Sequence, residues 1–377
     1  MMFKVLVVGM SSILGGVERE VLSIIDGCSE EISFDFLCFG GNYDYAYNYP
    51  NSIFYYVTRR RKNYFKSQRE QKEFWVENGY KYDVVWINTG SASNLSSHKF
   101  AKKYSNARII THSHSSRIEH DSKLLQIAHT ILHILNRRKL VSLSDKLMAC
   151  SQKAANHLYG TYGCKATIFY NAIDVNALKY DENNRRKIRE ELSIDDNDIL
   201  LICVGRIVKV KNFIYAVKVF KEIQSRHTDS QFKMLIIGNG SMMDTLKDYI
   251  NSQQVNGIYL PGYIDNVKPF LDAADIFLQP SLFEGFPVSA IEAQANGLTC
   301  LISDRVTKEA KVTDLAKFIS INNEDIKEWA DIIVNCDIQY NRNKYNIELQ
   351  NTEFDIHCAA KEMETILCNK GGPRSAE

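Results

Sequence analysis

The stretch ILLICVGRIVKVKNFIYAVKVFKEIQSR, residues 199–226, carries three local patterns in unbroken succession. Residues 199–205 are short and almost continuously apolar, the mark of a strand buried on both faces, as in a parallel sheet. Residues 212–226 are amphipathic and long enough for a helix. Between them lies a glycine and a basic loop, with Arg206 directly after the strand and Lys211 near the start of the helix. Strand, loop and helix in this order are the repeating element of an α/β domain.

The alternation extends along the 377 residues. Strand-like runs fall at 3–9, 34–40, 52–57, 83–89, 107–114, 146–151 and 166–172. A second set falls at 199–205, 232–238, 257–262, 275–281, 299–304 and 316–321. The pattern predicts two doubly wound domains facing across a crevice, with ligand loops outside the carboxyl ends of the strands. The polar stretch 181–198 separates the halves, with the boundary near 172–195. Residues 353–368 read as a terminal helix and 369–377 as a tail.

Lys+Arg total 46 against 45 Asp+Glu, so no global field points to nucleic acid. The nine cysteines are scattered and form no C-x-x-C pair, which suits reduced thiols in cores. No targeting or membrane-spanning segment is visible. A soluble cytoplasmic protein is expected, able to sit on a membrane surface.

The loops after the strands hold the chemistry. In VGMSSILGGVERE (8–20), Gly15 and Gly16 lead into a helix. They read either as a bare connector or as a site where amides approach an anion. In VGRIVKVKN (204–212), Arg206 and Lys211 suit a diphosphate. Alone they would read as a solvated loop. IIGNGSM (236–242) adds Gly238, Asn239 and Gly240 at the same sheet edge, where a second backbone cradle is expected. In PSLFEGFPVSAIEAQANG (280–297), Pro287 is placed as the first helical residue and Gly297 as the cap. Glu284 then lies on the loop and Glu292 inside the helix. Two carboxylates so placed are unlike a pair flanking one glycosidic bond. They suit paired hydroxyls on two parts of one extended ligand.

Other features read more blandly. His112 and His114 alternate on a strand and face one side, but no third metal ligand has matching spacing. One of them acting in the crevice through a hydrogen bond is the expectation. Asp196-Asn197-Asp198 precedes a strand and reads as a turn. Two basic segments, RRRKNYFKSQREQK (59–72) and NRRK (136–139), read either as solvated faces or as a dock for an anionic membrane.

Gly15-Gly16, THSH, YNAID, VGRIVKVKN, GNG and FEGFPVSAIEAQANG, in this order, resemble the retaining glycosyltransferases of family 4, which have the GT-B fold. The pattern is most similar to bacterial enzymes of capsule, O-antigen and exopolysaccharide synthesis. The resemblance implies an N-terminal acceptor-binding domain at 1–175, a nucleotide-sugar domain at 176–355, and a C-terminal helix and tail at 356–377 crossing back to the first domain. It implies that Arg206 and Lys211 grip the leaving diphosphate and that the Gly238–Gly240 amides line the nucleotide site. It makes Glu292 a ribose ligand and sets Glu284 toward the donor sugar, with the amides of Gly285, Phe286 and Val288 nearby. Gly16 would meet phosphate or acceptor, and His114 the donor sugar. Asn171 and Asp174 belong to the interdomain connection. No lysine precedes the N-terminal glycines, which argues against an α-glucan synthase, and Ser241 stands where many relatives have proline. A UDP-sugar donor, a saccharide acceptor linked to undecaprenyl diphosphate, and catalysis without a metal or cofactor are the implied chemistry. A nucleotide-sugar 2-epimerase and a non-catalytic sugar-nucleotide binder share the architecture.

Overall fold

The computed structural model describes residues 2–118, 122–227, 231–338 and 341–369. Among these residues lie two parallel sheets, of seven and six strands. The first holds β1 (Phe3–Val8), β2 (Ile32–Phe39), β3 (Phe54–Val57), β4 (Val84–Thr89), β5 (Arg108–Ser113), β6 (Lys146–Ala149) and β7 (Thr167–Ile168). Their order is β3-β2-β1-β4-β5-β6-β7, so direction of winding reverses between β1 and β4. The second holds β8 (Ile199–Val204), β9 (Phe232–Ile237), β10 (Ile258–Gly262), β11 (Ile276–Gln279), β12 (Thr299–Ser303) and β13 (Ala316–Ile319). Its order, β10-β9-β8-β11-β12-β13, reverses between β8 and β11.

Each run predicted as a strand contains one. The physical reason is burial on both faces: Val5, Leu6, Val7, Leu200, Leu201, Ile202 and Cys203 are all 0% exposed. Each such side chain contributes on the order of 1.5–3 kcal/mol when withdrawn from water. The run 166–172 holds the shortest of these strands, pairing only over Thr167–Ile168. Beyond it the chain leaves the sheet, and the Tyr170 ring lies 5.2 Å from that of Phe354.

The chain divides into two compact units, Met1–Ala172 with Glu353–Glu377, and Ile173–Thr352. The helix Ile356–Cys368 therefore belongs with the first unit, as the resemblance implied. Its Met363, Ile366 and Leu367 enter the same core as Val21, Leu22 and Ile24 of the helix Gly16–Gly27. The expected tail lies outside the described residues beyond Asn369.

The polar stretch 181–198 is more than a separator. It forms the helix Glu182–Glu191, whose Arg189 is 2% exposed and built into the second unit. The guanidinium donates to Ala273 O (3.0 Å), Asp275 Oδ2 (3.3 Å) and Asp198 O (2.6 Å). Asp195–Asp198 is a turn closed by Asp198 N–H to Asp195 O at 3.0 Å. All nine cysteines are thiols outside any disulfide.

Candidate functional site

In the second unit the site forms where the strand order reverses. Gly205 follows β8 with φ +147°, and its N–H donates to Ile237 O at 3.0 Å. Lys211 folds back over it, so that a Cβ on Gly205 would lie 3.1 Å from Lys211 Cε. The Lys211 ammonium meets Glu284 Oε1 at 2.7 Å, each side chain 16% exposed. Glu284 comes from the loop after β11, so this ion pair spans the reversal point between β8 and β11. The same carboxylate oxygen accepts from Ser281 Oγ (2.9 Å) and Gln279 Nε2 (3.2 Å), and Gln279 Oε1 accepts from Ser289 Oγ (3.3 Å). Gln279 and Ser281 are buried and were not singled out from sequence, because a polar residue ending a strand carries no pattern of its own.

Arg206 stands exposed on the loop directly after β8. The loops after β8 and β11 are tied backbone to backbone by Leu282 N–H to Val210 O at 2.8 Å. Asn212, at φ +56°, donates from Nδ2 to Pro280 O at 3.1 Å. The structure thus brings Arg206, Lys211 and Glu284 to one sheet edge.

The glycines after β9 correct one expectation. The Gly238 N–H is committed to Gly262 O (2.8 Å) and the Gly240 N–H to Asn239 Oδ1 (2.7 Å). Neither is a free donor for an anion. Glycine is required here by close approach: a Cβ on Gly238 would fall 1.9 Å from Gly205 O, and one on Gly240 2.4 Å from Ile207 O. The two loops pack at backbone distance, and Asn239 projects outward, exposed.

The helix of the motif at 280–297 runs Val288–Ala295. Pro287 is its N-cap rather than its first residue, with φ −85° and ψ 88°; the missing N–H is tolerated at either place. Gly297 takes φ +83° just past the end. The first amides, at Val288 and Ser289, have no partner inside the helix and carry its positive end. Glu292, half-buried, lies one turn on from Val288, on the same face. Phe286 is buried at 6% and Gly285 half-buried, so the turn between Glu284 and the helix is held rather than loose.

The first unit has a parallel arrangement at its own reversal point. Gly9, at φ +99°, ends β1 so close to β4 that a Cβ would fall 1.9 Å from Asn88 O. A cavity of about 700 Å³ opens there, lined by Gly9, Met10, Asn88, Thr89, Arg59–Arg61 and Arg117 among others. The arginines of the first basic segment therefore rim a cavity, a place the sequence did not give them. Arg59 is fixed through Nε to Phe39 O (2.9 Å) and through Nη2 to Ser12 Oγ (2.9 Å).

The glycine loop before the first helix is closed on itself. Glu18 accepts from Ser11 N–H (2.8 Å) and Gly15 N–H (3.1 Å). Gly16 opens the helix, and a Cβ there would touch nothing within 4 Å. His114 follows β5 and meets Asn88 Oδ1 through Nε2 at 2.8 Å. That contact puts the proton on Nε2 and leaves Nδ1 as a lone-pair acceptor, buried and without a partner among the described residues. Burial pushes the His114 pKa down to about 3, so the ring is neutral. His112 is 0% exposed, its ring centroid 4.0 Å from that of His114, and belongs to the core. Among the described residues no three His, Cys, Asp or Glu side chains converge as metal ligands.

Two parallel-sheet units with anion-compatible reversal points are the architecture of the GT-B proteins. Anabaena Alr3699/HepE, solved in complex with UDP, superposes with a TM-score of 0.77 over 97% of this chain and 99% of that one, at 15% identity. Residues 14–177 match the family model described as Glycosyltransferase Family 4, and residues 184–347 that of Glycosyl transferases group 1. EpsF of Bacillus subtilis, whose name describes it as a glycosyltransferase, is 25% identical over 202 residues, 52% of each chain. The Escherichia coli UDP-Gal:alpha-D-GlcNAc-diphosphoundecaprenol alpha-1,3-galactosyltransferase is 28% identical over 142 residues, 37% of each. The chain spans about half the length, or less, of these curated relatives. The two family models together take in most of the sequence, and the chain belongs to the glycosyltransferases of family 4.

Proposed function

We propose that this protein is a retaining glycosyltransferase that moves a hexosyl or N-acetylhexosaminyl group from a UDP-sugar to a lipid-diphosphate-linked saccharide in bacterial surface polysaccharide synthesis. The observation that carries the reading is the junction at the second reversal point, where Lys211 and Glu284 meet at 2.7 Å beside Arg206 and a helix N-terminus. A diphosphate needs cations and amide donors, and a sugar needs a fixed carboxylate. An ammonium has three N–H groups, so Lys211 can hold Glu284 and still reach a phosphate oxygen.

In this mechanism the acceptor hydroxyl attacks the anomeric carbon on the face the nucleotide leaves. The bond from that carbon to the phosphate oxygen breaks, and the acceptor proton passes to the departing phosphate. Arg206 and Lys211 neutralise the charge on the leaving diphosphate, the role a metal plays in other transferases. Glu292 accepts from the ribose hydroxyls and Glu284 from the donor sugar. His114, its neutral ring oriented by Asn88, is the histidine assigned to the donor sugar. The arginine-rimmed cavity of the first unit suits the diphosphate of a lipid-linked acceptor, a chemistry printed in the name of the E. coli relative. Such an acceptor sets the reaction at the inner face of the cell membrane.

The test is nucleotide release from a panel of UDP- and GDP-sugars, with and without lipid-diphosphate saccharides, in buffer containing EDTA. Acceptor-dependent UDP release with the anomeric configuration kept supports the reading. An epimerised sugar nucleotide, or binding without product, overturns it.

A further inference from the structure

The helix Lys123–Leu143 is built inside out. Its packed side holds Leu140, 0% exposed, and otherwise polar groups. His133, 1% exposed, accepts the Ala92 N–H on Nδ1 at 2.9 Å and turns Nε2 toward His157 O at 2.9 Å. Asn136 Nδ2 donates to Ala92 O (3.1 Å), and Arg137 Nη2 to His157 O (2.6 Å). The opposite side is apolar and open. Leu124 is 79% exposed, Ile127 57%, Ile131 52%, Ile134 54% and Leu135 72%. Leu124, Ala128, Ile131, Leu135 and Arg138 follow at helical spacing, so they form one line along the axis. Water does not favour an apolar stripe of this length, and a stripe so exposed marks a surface that is covered in use.

We propose that this face seats the first unit on an anionic lipid bilayer, the helix lying in the plane of the interface. Two observations select that occupant. The exposed cations Arg138 and Lys139 stand at the end of the apolar line, where headgroups would meet them. The helix contains no Asp or Glu. A second copy packed on this face would set its own cations against Arg138, Lys139 or Lys123 in either orientation, with no acid on the helix to answer them. The helix is also not long and apolar enough to cross a membrane, so it lies on the surface.

The other basic segment contributes less. In the helix Tyr64–Asn78, Lys66 pairs with Glu70 (3.7 Å) and Arg69 with Glu73 (3.6 Å), while Ser67 and Gln71 face inward. Within the helix Lys66 and Arg69 are thus answered by acids, and Arg59–Arg61 before it rim the cavity instead.

The experiment is co-sedimentation of the full chain with vesicles of phosphatidylcholine alone or with one third phosphatidylglycerol. It needs neither donor nor acceptor, so its outcome is independent of the transferase reading. The wild-type chain is expected to bind the anionic vesicles. The triple variant Leu124→Gln, Ile131→Gln, Leu135→Gln should lose at least tenfold in partition while its melting temperature stays within a few degrees, because those sites are exposed. Arg138→Gln with Lys139→Gln should lose roughly tenfold and flatten the salt dependence. Leu135→Trp adds an exposed indole to a chain whose three tryptophans are buried, and its emission should shift to the blue on anionic vesicles. Wild-type protein left in the supernatant at low salt would overturn the proposal. So would a triple variant that binds as well as wild type, an unshifted Leu135→Trp, or a wild-type dimer that the triple variant makes monomeric.

Discussion

Lys211 Nζ and Glu284 Oε1 lie 2.7 Å apart and join the loops after β8 and β11, the two strands between which the second sheet changes direction. In the reaction proposed above, each residue holds the other ready for a different part of the sugar nucleotide. Lys211→Ala removes the charge proposed to meet the diphosphate and takes the ammonium from Glu284, which keeps its bonds from Ser281 and Gln279. Turnover is expected to fall about 10²–10³-fold, the usual loss when one charge-stabilising donor is removed. Nucleotide affinity, read by calorimetry, should weaken as well. Glu284→Gln should lower turnover with a smaller change in nucleotide affinity. Wild-type turnover in Lys211→Ala would remove the leaving group from this junction.

Glu292 is set one helical turn beyond Val288 and away from the Lys211 junction in sequence and in element. The ribose contact proposed for Glu292 would be made equally in ground and transition states, and so contribute to binding alone. Glu292→Ala is expected to raise the donor KM by about tenfold, the worth of one charged hydrogen bond, with kcat nearly unchanged. A fall in kcat at constant KM would instead place Glu292 at the reacting bond.

The sequence disclosed the strands because parallel strands buried on both sides leave uninterrupted apolar runs. It placed Arg206, Lys211 and Glu284 on loops directly after strands, and the structure puts them there. It did not disclose that Lys211 and Glu284 touch, since strand order is a property of the folded sheet. The glycines at 238 and 240 were legible as necessary, yet their reason was misread. An anion cradle and a close backbone crossing leave the same residues in the chain, and only the contact with Gly205 and Ile207 separates them. The helix Lys123–Leu143 hid its character for a related reason. Periodicity reports that a helix has an apolar side but not whether that side faces the core.

His114 offers a test by pH. Burial holds its pKa near 3, and the Asn88 contact fixes the neutral tautomer. The imidazole then changes no charge between pH 5 and 8. The pH profile of kcat/KM should show no histidine limb in that window, and Asn88→Ala should slow turnover by releasing the ring. A limb near pH 6.5 that disappears in His114→Ala would mean that the ring titrates and works as a base.

Glu20 gives a prediction about stability. It sits on the helix Gly16–Gly27, 4% exposed, and accepts the N–H of Ala172, the last residue before the second unit, at 2.8 Å. Burial raises its pKa from 4.5 to about 8, against the smaller opposing effect of the amide. The folded chain therefore keeps this proton across neutral pH while the unfolded chain has released it. Between the two pKa values the native state binds more protons, so rising pH costs stability. The penalty is absent below about pH 4.5, grows toward pH 8 and is constant above that. Glu20→Gln keeps an oxygen for Ala172 and carries no charge. Its melting temperature relative to wild type should climb steadily from pH 5 to pH 8 and end several degrees higher. Every other titrating group is common to both proteins, so the difference between the two curves reads Glu20 alone. Parallel curves would mean that Glu20 is ionised in the folded chain and that its burial is relieved by water.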